Sequence, residues 1–559
     1  MKPIKTPVAV LFAALAFSMG NFAAASDYRD LTDLFSKWRG FEPPTVEACV
    51  PDYSAEAMAA KAEGLAAFQK DLGDIDVDGW SVAQRNDLKI VEAEMNGMDF
   101  DLRVLKPFAR DPSFYANVFA DQSDVPEHEG PSAYPAIDLY TFQYPLSEDD
   151  DAKLTCLIGA IPAILDQAKV NLADSNARGL WVYGTRAFRE QSVTLTAFAA
   201  GTLKMRTLEG MVEGNLEGAS PALLDAIARA KSATDTFRQW LEDEAPSKSG
   251  PSGVGKEHYD WYMKNVLLSP YGWREQVTLL RRELDRARAA LAIEEFRNRD
   301  LKPLEPFNDP DAYMAMATAK MDALADFLIE GGLVEDKDYY RDALAQQIGG
   351  YTPPENRNFF SNSAAHDPTP LYSHFYHWIE LAARKHEPNE SPVRAATPLY
   401  DMYDGRAEGL ATAMEEVLMH AGLYDETPRG REVVWVLAAN RAARGLASLY
   451  VHSNEWTLED AGQFHARWTP LGWTDPESDL VAFEQLLYLR QPGYGTSYIT
   501  GKLELDRLIS NFAFDREQEG KAFSLPEFFK ALNEADVIPF SLIEEEMTKD
   551  PLRIEDARR

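Results

Sequence analysis

The sequence predicts an all-α fold, and three observations predict it. Apolar residues recur with the 3.6-residue helical period over long stretches. Alternating strand patterns bounded by turn residues are scarce. The punctuation consists mainly of Pro/Gly clusters, at 42–44, 349–354 and 387–392. Composition agrees: apolar residues are 45% of the 559, the share of a packed globular chain. Gly and Pro, 33 each, stand at background and argue against disorder or collagen.

Residues 1–25 read as a secretory signal. Lys2 and Lys5 form a small positive segment, Val8 to Phe17 is an unbroken apolar run too short to span a bilayer, and Ala23-Ala24-Ala25 supplies the small residues of a cleavage site before Ser26. No Cys stands near that site, so a lipid anchor is not expected. No second long apolar run occurs, so no membrane span is expected either. The reading is an exported, periplasmic or secreted protein. Its two cysteines, Cys49 and Cys156, then read as one disulfide, because an oxidising compartment pairs them.

The elements follow in order. Ser81-Val82-Ala83-Gln84 has the form of a capping box, and Val82, Leu88, Val91 and Met95 share a helical face behind it. Further helices are expected over Leu154–Leu172, Thr185–Leu208, Ala222–Leu241, Trp273–Phe296, Ala312–Ile329, Arg429–Val451 and Tyr494–Phe512. The small, polar stretch 246–255 reads as a linker, dividing the mature chain into an N-terminal helical lobe (26–245) and a C-terminal one (256–559). Two acidic motifs read as helix signals. Asp74-Ile-Asp76-Val-Asp78-Gly79 starts like a calcium loop, but its twelfth position is Arg85, and it runs straight into the Ser81 cap. Glu148-Asp149-Asp150-Asp151 suits the positive end of a helix dipole.

Charge excludes one class of partner. The formal net charge is −34, and so acidic a chain repels phosphate backbones, so no nucleic acid is expected. Nor does the sequence carry a G-x-S-x-G elbow, a phosphate-binding loop or a dinucleotide fingerprint.

The chemistry-bearing residues concentrate late in the chain, where six of the nine histidines lie between 366 and 452. On one helix, His374, His377 and Glu380 would be successive i, i+3 neighbours, a spacing open to metal ligation or to an aromatic core helix with internally bonded histidines. Glu408 sits among small apolar residues and needs a partner: a metal, Arg406, or an arginine from a neighbouring helix. In the apolar run Val433–Val451, Asn440, Arg444, Ser448 and His452 recur every four residues as a single polar stripe flanked by Arg441. Such a stripe is either a buried network or one wall of a polar cleft.

These residues, with Glu415-Glu416, Ala421-Gly422-Leu423-Tyr424, Trp456 and Pro492-Gly493-Tyr494-Gly495-Thr496-Ser497-Tyr498, resemble the bacterial family called domain of unknown function 885. Typical members carry an E-G-W-A-x-Y-x-E helix, an R-L-V-V-D-x-G-x-H helix and a P-G-Q-A-x-S-Y turn. Upstream, Gly255-Lys-Glu-His-Tyr259 resembles the family's G-x-E-x-Y segment. The resemblance implies a two-lobed, metallopeptidase-like helical architecture with zinc in a long cleft, and a peptide or related amide as substrate. It implies His374, His377 and Glu408 as the metal ligands, with Glu380 as an alternative ligand or base. It further implies His452 and Tyr498 as oxyanion stabilisers and Arg444, with Asn440 and Arg441, as the substrate-binding group. The family's H-E-A-x-P-G-H motif departs here: the matching stretch is His374-Phe-Tyr-His377-Trp-Ile-Glu380. Phe375 replaces the catalytic glutamate and Glu380 stands at the second histidine. The departure leaves a non-catalytic ligand- or partner-binding relative as the alternative.

Overall fold

Helix signals written locally in the sequence set the frame of the computed structural model, which describes residues 27–549. The proposed leader and Ser26 lie outside the described residues. Ser81 caps Val82–Phe100 with both halves of its capping box formed. Ser147 caps Glu148–Asn171, and the acidic run fills that helix's first turn. The 74–79 motif is the turn between Ala55–Gly73 and Val82–Phe100.

The expected helices form, with shifted ends: Pro221–Glu244, Trp273–Arg297, Pro310–Glu330, Gly430–His452 and Tyr494–Gln518. One expectation needs correction. The helix placed over Thr185–Leu208 is Arg178–Ala199. Gly201, at φ +64, turns the chain, and Lys204–Arg206 pairs antiparallel with Met211–Glu213. The other described strand pairs are two residues long, so the fold is all-α.

The helices gather around three main cores. Glu148–Asn171, Arg178–Ala199 and Pro221–Glu244 enclose Ile158, Leu165, Trp181, Phe188 and Phe237. Trp273–Arg297 packs along Gly430–His452 through Leu280, Leu284, Leu437 and Leu446. A third core joins distant parts of the chain: Leu31 and Trp38 of Tyr28–Phe41 and Ile90 and Met95 of Val82–Phe100 pack with Leu410, Met414, Leu505 and Phe529. The 246–255 stretch is strapped down: the Gly250 amide donates to the Asn176 carbonyl at 2.7 Å and the Gly255 amide to that of His452 at 2.8 Å. Cys49 and Cys156 form a disulfide, with Cα atoms 5.9 Å apart. Among the described residues no helix is long and apolar enough to cross a membrane.

Candidate metal centre

Close helix crossings decide which side chains meet. Gly409 of Asp404–His420 lies against Gly501 of Tyr494–Gln518, where a Cβ on Gly409 would stand 2.4 Å from the Gly501 Cα. No side chain fits in that gap, so the two backbones touch, and Glu408 is carried to the tyrosines at the start of the second helix. Gly445 and Gly495 make a similar approach, bringing in Gly430–His452.

His374 and His377 do not share one helix, as their spacing suggested. Thr369–His374 ends and Tyr376–His386 begins around Phe375, whose ψ of 14° departs from the helical value. The kink sets the two imidazoles nearly perpendicular, with ring centroids 5.2 Å apart. Glu408 completes the group: ligand-type atoms of His374, His377 and Glu408 all lie within 4.8 Å of one another.

The surroundings of His374 are well defined. Its Nε2 lies 3.2 Å from Glu408 Oε2. On the other side of the ring, Nδ1 lies 3.1 Å from Glu415 Oε1 and 3.2 Å from Arg441 Nη2. Arg441 and Glu415 are themselves paired at 2.7 Å. Burial, with the Arg441 charge adding to it, lowers the His374 pKa to about 3, so the ring is neutral. His377 is different. It is 2% exposed, and neither ring nitrogen has a hydrogen-bond partner.

Glu408 does not pair with Arg406, which binds Glu380 at 2.5 Å instead. Its Oε1 meets the Tyr494 hydroxyl at 2.6 Å. That hydroxyl lies 2.5 Å from Glu129 Oε1 and receives a hydrogen bond from Tyr498 at 3.1 Å. Asp124 joins this side, with Asp124, Glu129 and Glu408 forming a second group of oxygens within 4.8 Å. Sequence reasoning missed Asp124 and Glu129. They stand in an irregular segment without periodicity, and its only signal is the acidic density of 121–129.

The polar stripe is a buried network rather than a row of free groups. Arg444 pairs with Glu484, and its guanidinium sits 4.4 Å from the Tyr498 ring centre. Asn440 Nδ2 is 2.8 Å from His465 Nε2, and the Ser448 hydroxyl donates to its own helix at Gly445. His452 Nε2 meets the Tyr488 carbonyl at 2.7 Å. Burial lowers the His452 pKa to about 4, so its Nε2–H donates there and is not free for an oxyanion. Of the residues singled out in sequence, the structure thus gathers His374, His377, Glu408, Arg441 and Tyr498. It ties Glu380, Arg444, Asn440 and His452 to other partners.

A helical fold with a buried His/His/Glu group defines a class, helical proteins with a candidate metal centre, and comparison gives the family. Residues 38–331 match the family described as bacterial protein of unknown function (DUF885). The chain belongs to that family. The gathered site residues lie beyond the matched segment. Two solved proteins share the fold. One, from Shewanella oneidensis and described as a "putative lipoprotein of unknown function", is 14% identical with a TM-score of 0.64. The other, from Colwellia psychrerythraea and also described as a "putative lipoprotein", is 14% identical with a TM-score of 0.62. Each comparison covers 93% of this chain and 97% of the other. Among curated proteins, none matches this chain.

Proposed function

We propose that the protein is an exported, zinc-dependent hydrolase of peptides or related small amides, with His374, His377 and Glu408 as ligands. One observation carries this reading. His377 is buried with two unpaired ring nitrogens beside two other ligand-type side chains. An unsatisfied buried polar group costs about 1–3 kcal/mol, and a metal bound at one of the two nitrogens removes that nitrogen's share. Two imidazoles and a carboxylate are a donor set of catalytic zinc sites, which keep a fourth position open. When bound, zinc supplies Lewis acidity and acidifies water.

The chain's own residues have definable parts. Glu415 accepts from Nδ1–H of His374, which leaves Nε2 free to ligate, and Arg441 holds Glu415 in place at 2.7 Å. Tyr494 donates its hydroxyl proton to Glu408 and is itself held by a hydrogen bond from Tyr498. Phe375 carries no proton, and Glu380 is held by Arg406. The carboxyl left to move a proton is Glu129. Burial, with the Asp124 charge nearby, raises its pKa to about 8, a value suited to proton transfer near neutrality. Export rests on the 1–25 leader, and the description of both structural neighbours as lipoproteins supports an envelope setting.

The loss of a glutamate at Phe375 and the engagement of Glu380 favour a second reading, a metal-binding relative that holds ligands without cleaving them. Elemental analysis and peptide hydrolysis by the purified full chain separate the two. The expected result is about one zinc per chain, lost in His377→Ala, with cleavage of unstructured peptides. Zinc without cleavage selects the second reading. A wild-type protein that takes up no zinc overturns the metal centre.

A further inference from the structure

A cavity of about 570 Å³ lies beside the candidate centre without being bordered by His374, His377 or Glu408. It reaches that centre's neighbourhood at Gly130, next to Glu129. Tyr53, Phe108 and Phe114 give it aromatic walls. Four carboxylates line it as well: Glu42, Asp101, Glu127 and Asp401.

The cations nearby are engaged elsewhere. Arg39 pairs with Glu94 and donates to the Thr397 carbonyl. Lys61 donates to the carbonyls of Phe41, Glu42 and Pro43. His128 bonds Asp138 at 2.6 Å. Asp101 and Asp401 have no ion-pair partner among the described residues. Burial, with the charges of Asp401 and Glu42 adding to it, pushes the Asp101 pKa well up. Burial and the Glu127 charge raise that of Asp401 to about 7.

A buried hydroxyl whose one neighbouring carboxylate is poorly aligned with it marks the same place. Tyr403 is fully buried and lines the cavity beside Asp401, yet its hydroxyl makes no aligned hydrogen bond. The backbone presents these groups by unusual means. Asp101 opens a π-helical turn, Asp101–Leu105, at the end of Val82–Phe100, a distortion frequent at functional sites. Tyr400 and Asp401 both stand at φ +58.

We infer that this cavity binds a small organic cation, a primary ammonium on an aromatic or apolar body, with its charge between Asp101 and Asp401 and its body against the aromatic walls. The volume suits a small molecule rather than a bare ion. An ammonium between Asp101 and Asp401 supplies the positive charge that burial denies them and draws out their ionised forms, Tyr403 adds a polar contact, and the aromatic walls pack against the ligand's body. The ammonium comes from a free amine or from the amino terminus of a peptide. The inference does not rest on the hydrolase reading, because no ligand of the candidate metal lines the cavity.

Calorimetric titration of the full chain tests it with benzylamine, its neutral counterpart benzyl alcohol, phenylalaninamide and N-acetyl-phenylalaninamide. Benzylamine is expected to bind at least about tenfold tighter than benzyl alcohol, a difference of about 1.4 kcal/mol. The double substitution Asp101→Asn, Asp401→Asn should remove that preference, and chelator treatment should leave it intact. Phenylalaninamide binding at least as tightly as benzylamine, with its acetylated form inert, points to a peptide amino terminus; benzylamine alone binding points to a free amine. Equal binding of benzylamine and benzyl alcohol, no saturable binding of either amine, or loss of binding on chelation would each overturn the inference. The comparison between amine and alcohol uses the wild-type chain, so it stands even if the double variant fails to fold.

Discussion

Tyr494 carries one hydroxyl proton and touches two carboxyls, so one of the two must hold a proton of its own. The hydroxyl lies 2.5 Å from Glu129 and 2.6 Å from Glu408, and it already accepts from Tyr498. Glu129 is the protonated partner, because burial and Asp124 raise its pKa from 4.5 to about 8. The consequence for stability has a definite sign. Between pH 4.5 and 8 the folded chain binds a proton that the unfolded chain has released, so this group's contribution falls as pH rises through that window. The loss is at most about 1.4 kcal/mol per pH unit. Glu129→Gln keeps a donor toward Tyr494 and cannot ionise. The variant should gain stability over wild type from pH 5 to pH 8 in urea unfolding and be close to it below pH 4.5. Parallel pH dependences for the two proteins would remove the proton from Glu129. Neither Glu129 nor Asp124 was legible in the sequence. Their part depends on an irregular segment laid across distant helices, with Tyr494 at a sequence separation of 365 from Glu129, and no local pattern records that contact.

At the scale of elements, periodicity and caps located the helices, because each is a property of a few neighbouring residues. The misreadings fall where local signals give way to tertiary ones. The apolar pattern from Thr185 continues past Ala199 to Leu208, whereas Gly201 and the strand pairing that follows end the helix. His374 and His377 were legible as a pair, but the break at Phe375 that turns one ring against the other was not. Glu408 was legible as a carboxylate needing a partner. Its partner depends on Gly409, which sets how closely two helices approach. A methyl group at Gly409 would meet backbone at 2.4 Å, and backbone cannot rotate away. Gly409→Ala should therefore destabilise by about 1–3 kcal/mol or more and weaken metal uptake by moving Glu408. Gly405→Ala, in the same helix with nothing within 4 Å of the new methyl, serves as the control. It should be neutral or stabilising by up to about 1 kcal/mol. Equal thermal stability of the two variants would show that the crossing is looser than described.

Across the whole molecule, the order of the chain and the order of the cores differ. The first 100 residues supply Leu31, Trp38, Ile90 and Met95 to a core otherwise built from helices beyond 310. Between those contributions the chain crosses to another core, where Tyr53 is buried and Cys49 packs at its edge. The Cys49–Cys156 bond pins that excursion to Glu148–Asn171. The pairing was legible from cysteine count and compartment; that the bond fastens an N-terminal excursion to the second core was not, because a linear division at 246–255 hides the departure and return of the N-terminal chain. The closed loop has a sequence separation of 107 and contains helices of both cores, so its constraint acts on the unfolded chain as a whole. The chain-entropy relation gives about 4–5 kcal/mol for a loop of this length, with smaller values common in practice. Cys49→Ala with Cys156→Ala should lower the midpoint of urea unfolding at neutral pH, and reductant should lower the wild-type midpoint toward that of the variant. Because the bond acts mainly on the unfolded state, the native chain should keep its helical circular dichroism in the variant and bind zinc to the same extent as wild type does. A variant whose midpoint matches the oxidised wild type would show that the packing of Tyr53 and its neighbours into that core already supplies the constraint.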